Sequence, residues 1–226
     1  VYQGYSDYAI VSFVFVSIFW NVSYLNFSQT SSSAMFLRTG SVVVFDLEWT
    51  SWSGFRDSNW SLPGKHREII QIGAVKIDCE DGFSEIGHFD QLIKPTRNPE
   101  LSAYVQELTG ISQSDVEENG IEFPHALSEF NAFCSAVDYV CCNGADGEVI
   151  VENCILHAIE TPKIFTNAID LNPLLSDALG VTERWLYSSE LTSHLGLPSV
   201  GEQHNGLADA RGIASAIRHL MLNHLI

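Results

Sequence analysis

The sequence predicts an α/β domain, and three observations carry that prediction. After residue 40, strand-like apolar runs alternate with helix-like amphipathic segments. Val42, Val43, Val44 and Phe45 are apolar at four successive positions, the mark of a strand buried on both faces. Residues 207–224 close the chain as an amphipathic helix. Strands are expected at 41–49, 68–77 and 85–94, forming an antiparallel meander, and again at 137–142 and 163–170. Helices are expected at 98–108, 123–136, 146–158, 172–179 and 188–195. The second of these has Leu127, Phe130 and Phe133 at helical spacing, and Gly180 and Gly196 are natural stops for the last two.

At 226 residues the chain fits one domain with a sizeable core. Hydrophobic content of 46% against 17% charged residues excludes a disordered chain or a coiled coil. The five cysteines lack zinc-type spacing and read as reduced, mostly buried thiols of a cytoplasmic protein. A formal net charge of −17 leaves no global basic footprint for gripping long duplexes, so a nucleic acid would have to be held locally.

Residues 1–40 differ from the rest. Residues 8–37 carry no charged side chain, no Lys or Arg precedes the apolar stretch 9–20, and the first Met is Met35. That stretch is shorter than the ~20 residues of a membrane span and lacks the cationic start of a signal peptide. Three readings stay open: an upstream extension irrelevant to the fold, a packed accessory segment, or a membrane anchor. In the last case Arg38 would favour a cytoplasmic catalytic domain. Without an anchor, no stable membrane association is expected. The domain proper is expected at 41–226.

Three short segments carry the chemistry. In VVVFDLEWT, Asp46 and Glu48 stand two apart at the end of the first strand, so both carboxylates leave the same face. Such acids are costly at the end of a buried strand unless paired or metal-bound. CNGADGEVI supplies Asp146, and HNGLADAR supplies His204 and, five residues on, Asp209 in the first turn of the last helix. Each has a plain alternative: Asp146 as a helix cap, His204 and Asp209 as partners of a helix terminus. Together, four carboxylates that can converge and one histidine describe a two-metal phosphodiester hydrolase with its own general base.

These segments resemble the three motifs of the DEDDh branch of the DnaQ-like 3′-to-5′ exonucleases, over residues 41–222. EIIQIGAV, LTGIS at 108–112 and LGLP ahead of the histidine support the likeness, and Gly206 with Leu207 resembles the histone-mRNA and small-interfering-RNA exonuclease branch. Two positions depart from the pattern. Ala208 stands where the family often has a second acid, and Gly212 lies inside the last helix, where it suggests close packing. The resemblance implies a ribonuclease H-like fold, a mixed five-stranded sheet flanked by helices. It also implies that Asp46, Glu48, Asp146 and Asp209 hold two Mg²⁺ or Mn²⁺ ions about 4 Å apart, with His204 as general base. Nucleoside 5′-monophosphates would leave the 3′ ends of single-stranded RNA or DNA. Leu108, Thr109, Gly110 and Ile111 would position the terminal nucleotide.

One loop adds a local signal. TSWSGFRDSNWSLPGKHRE holds Trp49 at its edge, Trp52 and Trp60, with Arg56, Lys65, His66 and Arg67. Aromatics interleaved with cations can stack bases and steer phosphates, making Trp49, Trp52, Arg56 and Trp60 candidate contacts; the alternative is that the tryptophans cover a sheet edge. His88, His125, His157, His194, His219 and His224 read as surface or satisfied core residues. Two other functional readings are a proofreading or processing subunit of a larger complex and a nonhydrolytic nucleic-acid-binding module.

Overall fold

The computed structural model describes residues 34–55, 57–58, 60, 62–181, 185–201 and 204–226. Residues 1–33 of the leader and Arg56 lie outside the described residues. β1 (Ser41–Trp49), β2 (Ile69–Asp78) and β3 (Ser84–Lys94) form the expected antiparallel meander. β5 (Tyr139–Cys142) then runs parallel to β1, pairing with Val42, Val43 and Val44, and β6 (Ile169–Asp170) runs parallel to β5. With β4 (Ile121–Glu122) against the far edge of β3, the sheet has six strands in the order β4-β3-β2-β1-β5-β6. The central strand thus has an antiparallel neighbour on one side and a parallel one on the other.

Alternation along β1 explains the two cores. Val42 and Val44 face one layer, with Ile213, Ala216, Ile217 and Leu220 of α8 (Gly206–Leu222) and Leu175 of α6 (Asn172–Ala178). Val43, Phe45 and Leu47 face the other, where Phe130 of α3 (Phe123–Phe133), Ile150 of α4 (Asp146–Leu156) and Phe165 complete the packing. All nine residues from Ser41 to Trp49 are buried or half-buried, as a strand covered on both faces requires. Asp46 and Glu48 continue the Val42/Val44 series, toward α8.

Five strands were expected and six are found. β4 is two residues long, too short to leave a period-2 signal. Residues 163–170 are not one strand: α5 (Lys163–Thr166) makes a single turn after Pro162, buries Phe165, and leaves Ile169 and Asp170 alone to pair with β5. α1 (Ala103–Thr109) begins later than expected because residues 96–98 wrap the carboxylate of Glu68 instead of entering a helix. α2 (Gln113–Asn119) was not foreseen. It buries Val116 alone, so it shows no apolar stripe, but a capping box between Ser112 and Asp115 starts it. Near the C-terminal end, a 3₁₀ turn (Ser188–Glu190) leads into α7 (Leu191–His194). Gly180 and Gly196 follow their helices in the left-handed conformation, as expected of stops.

All five cysteines are buried and free. Burial pushes the thiols of Cys79 and Cys134 up to about 11 and about 12, which leaves them protonated and unreactive near neutrality. Among the described residues no helix is long and apolar enough to cross a membrane.

Candidate active site

The site forms where β1 outruns β5. Pairing with β5 ends at Val44, so beyond it β1 presents backbone groups without a strand neighbour on that side. The N–H of Leu47, between Asp46 and Glu48, donates instead to Asp146 Oδ1 at 2.9 Å. Asp146 can reach it because α4 starts there, four residues after β5 ends. The connecting turn is fixed by Gly144 N–H donating to Asp170 Oδ1 at 2.8 Å. Asn143 Nδ2 donates to Leu186 O at 2.8 Å and to Ser188 Oγ at 3.3 Å. The Ser188 hydroxyl in turn bonds the carboxyl of Asp46.

Asp209 arrives from the other direction, through a contact between two glycines. A Cβ on Gly73 of β2 would lie 2.0 Å from the backbone of Gly206 and Leu207, and one on Gly206 would lie 3.0 Å from Asp46 O. Only this bare approach lets the N-terminus of α8 rest on the sheet beside Asp46. Gln71 secures it by accepting from Gly206 N–H at 3.0 Å, and Asn205 caps the helix by accepting from Ala208 N–H. One turn on, Asp209 Oδ2 accepts from His204 N–H at 3.1 Å, and His204 is held at a φ of 57°. Single ligand atoms of Glu48, His204 and Asp209 lie within 4.8 Å of one another.

Asp46, Glu48, Asp146 and Asp209 are each 5–8% exposed. Burial raises all four carboxyls. Asp46 is lifted well above the usual carboxylate range by burial first, then by repulsion from Asp146, Asp209 and Glu48. Glu48 is lifted by burial and then by Asp209 and Asp146. Asp146 is pushed up to about 7 by burial against the opposing Leu47 N–H, and Asp209 to about 6 by burial against the opposing His204 N–H. A donor set of several carboxylate oxygens and one imidazole fits hard or borderline divalent cations, whose charge would reverse these shifts.

All five residues line one open cleft of about 860 Å³. One wall is aromatic: Trp49 and Trp60 pack edge to face at 5.8 Å, and Phe55 lies 5.3 Å from Trp52 and 5.4 Å from Trp60. Trp49, Trp52 and Trp60 all border the cleft and wall it; β1, which carries Trp49, is an interior strand of the sheet. Of the LTGI segment, Leu108 borders the cleft. Thr109 is turned inward, its hydroxyl bonded to Val105 O at 2.8 Å; Gly110 ends α1 with a φ of 72°; Ile111 is buried against Ile70, Val105 and Val116.

A family model described as Exonuclease matches residues 43–217, which takes in every one of these segments. The chain belongs to this exonuclease family. Among curated relatives, the 3′-5′ exonuclease Snipper of Drosophila melanogaster is 26% identical over 197 residues, covering 77% of this chain and 66% of that protein. ERI1 exoribonuclease 2 of Xenopus laevis is 28% identical over 217 residues, covering 83% of this chain and 30% of that one. The chain therefore spans less than two thirds of the length of these relatives. The nuclease domain of 3′hExo, a DEDDh family member solved bound to rAMP, superposes with a TM-score of 0.72 at 20% identity, over 82% of this chain and 93% of that one. The fold is accordingly that of the DEDDh nucleases.

Some contributors were not legible beforehand. Ser188 has no motif to mark it. Gly73 did leave a signal, since a glycine inside the buried run EIIQIGAV indicates a close backbone approach.

Proposed function

We propose that this exonuclease-family chain is a metal-dependent 3′-to-5′ exonuclease that releases nucleoside 5′-monophosphates from single-stranded RNA or DNA ends. The observation that carries the reading is the gathering of four buried carboxylates and the His204 imidazole on one open cleft. The names of the relatives, a 3′-5′ exonuclease and an exoribonuclease, and the rAMP bound to 3′hExo support the direction of attack and a nucleotide ligand.

Asp46, Glu48, Asp146 and Asp209 would hold two Mg²⁺ or Mn²⁺ ions, which when bound offset the carboxylate charges, activate water and stabilise the departing 3′-oxygen. The protein's own part is positional and acid–base. Leu47 N–H and the Ser188 hydroxyl fix the directions of Asp146 and Asp46. His204 takes the proton of the attacking water at an imidazole nitrogen; histidine is the side chain most often used as a general base. Leu108 and the aromatic wall of Trp49, Trp52 and Trp60 flank the terminal nucleotide.

The test is a degradation ladder with 5′-labelled RNA and DNA oligomers, 3′-blocked or free, in Mn²⁺ or chelator. Stepwise shortening of free ends only, lost in chelator and in Asp46→Ala, is the expected result. Cutting of a circular strand would change the reaction type, and an active Asp46→Ala variant would contradict the assignment.

A further inference from the structure

The cleft does not end at the carboxylates. At Trp60, Arg67 and Ala145 it continues into a second recess of about 590 Å³, bordered also by Lys65, His66 and Glu148. Among the described residues Arg67 is the one Lys or Arg that lines the catalytic cleft, and it stands at this junction. Its guanidinium lies 5.9 Å from the ring centre of Trp49 and 5.8 Å from that of Trp60, within cation–π range of both. Nε and Nη2 donate to the two oxygens of Glu152 on α4. A guanidinium has five N–H groups in a fixed plane, so this fork uses one edge and leaves three donors for other partners.

The backbone beneath is equally fixed. Arg67 O accepts from Asn153 Nδ2 at 2.7 Å, Asn153 Oδ1 accepts from Ile69 N–H at 3.1 Å, and Asn153 is buried. Next door, Glu68 is buried and holds residues 96–98. Arg67 is thus a cation pinned from both sides, and its side chain is 12% exposed. A purely structural ion pair would not need to stand at the mouth of an acidic cleft.

We propose that Arg67, braced by Glu152 and the two indoles, forms a subsite for the phosphodiester immediately 5′ of the bond being cut. The proposal rests on the exonuclease reading above and names the contact that reading lacks. A 3′ terminus ends in the cleft, and the rest of the strand must leave it. The recess beyond Arg67, with Lys65 on its border and Trp60 as a wall, offers an exit through an otherwise acidic surface. Fixing one upstream phosphate there would hold the scissile phosphate at the carboxylates.

The experiment compares two ligands in a His204→Ala background with Mn²⁺, where cleavage is slowed: a short 3′-hydroxyl oligonucleotide read by fluorescence anisotropy, and a nucleoside 5′-monophosphate read by calorimetry. The monophosphate fills the terminal position only. Arg67→Met is expected to weaken the oligonucleotide by about tenfold to a hundredfold, as for loss of a charge-assisted hydrogen bond, to leave the monophosphate unchanged, and to reduce the salt slope of oligonucleotide binding by roughly 0.7. Arg67→Lys, a gentler change to the fold, is expected to lose a smaller part of the affinity and to keep the slope. Equal weakening of both ligands would assign Arg67 to the carboxylate cluster or to the fold and overturn the subsite. Unaltered oligonucleotide binding in Arg67→Lys and Arg67→Met would also overturn it. If neither ligand binds while Arg67 is intact, it is the exonuclease reading itself that fails.

Discussion

Two buried carboxylate settings lie within a few residues of each other in the sheet and behave in opposite ways. Glu68, 1% exposed, accepts from four donors: the N–H groups of Thr96, Arg97 and Asn98 and the Thr96 hydroxyl. Its charge is met by the protein, and it ties a loop to the start of β2. A few residues away, at the same end of the same strand pair, four carboxylates face one another with the Leu47 and His204 N–H groups and the Ser188 hydroxyl among them. There the protein supplies mutual repulsion and leaves the counter-charge to come from outside. A buried acid surrounded by donors is structural; buried acids surrounded by acids mark a place for cations and chemistry.

Each prediction tests one side of that contrast, beginning with the largest effect. Asp46→Ala should reduce exonuclease turnover to background while the metal-free protein stays folded; retained turnover would remove Asp46 from the site. His204→Ala should lower kcat by about 10²–10⁴-fold with oligonucleotide affinity preserved, as for loss of a general base; an unchanged pH–rate profile would argue against that role. Glu68→Ala should act on stability, lowering it by about 1–3 kcal/mol because three partly buried N–H groups lose a charged acceptor; a denaturant melt reads this directly.

The pH response separates the two settings further. The folded carboxyls of Asp146 and Asp209 are raised from 3.8 to about 7 and about 6, so the native state holds protons the unfolded chain has released. Their contribution to stability is therefore unpenalised below pH 3.8, falls as pH rises through the interval to about 7, and stays low above it. Metal-free protein should lose stability from this cluster across that interval, and Mn²⁺ should restore more at pH 8 than at pH 5. The smallest effect is at Gly212 in α8. A Cβ there would meet its nearest neighbour, Ser188 O, at 3.6 Å, an ordinary contact. The close packing suggested by the sequence is absent, and Gly212→Ala should stabilise the helix by up to about 1 kcal/mol in the same melt.

Much of this was legible in the sequence because the signals were periodic or charged. The β1 run, the antiparallel meander and α8 follow from apolar spacing; Asp46 and Glu48 stood out as acids at the end of a buried strand, and Asp146, His204 and Asp209, each acceptable alone at a helix start, stood out through their combination and order with that pair. What was not legible depends on contacts between distant segments. α2 and β4 bury too little to show a period, and α5 replaces part of an expected strand because one turn suffices to bury Phe165. Ser188 and Glu152 acquire meaning only from what they touch, Asp46 and Arg67. Thr109 and Ile111 were expected at the substrate and are turned into the interior: α1 presents Leu108 to the cleft, Thr109 bonds back to Val105 O, and Ile111, just past the helix end, packs on Ile70.

The protein leaves the charge of this cluster for divalent cations to neutralise. Thermal melting at pH 8 of the wild type and of Asp46→Asn/Asp209→Asn, each with and without Mn²⁺, tests it most directly. The metal-free double variant should melt above the metal-free wild type, and Mn²⁺ should raise the wild type alone. A wild type indifferent to Mn²⁺, or a double variant less stable than the metal-free wild type, would contradict the account.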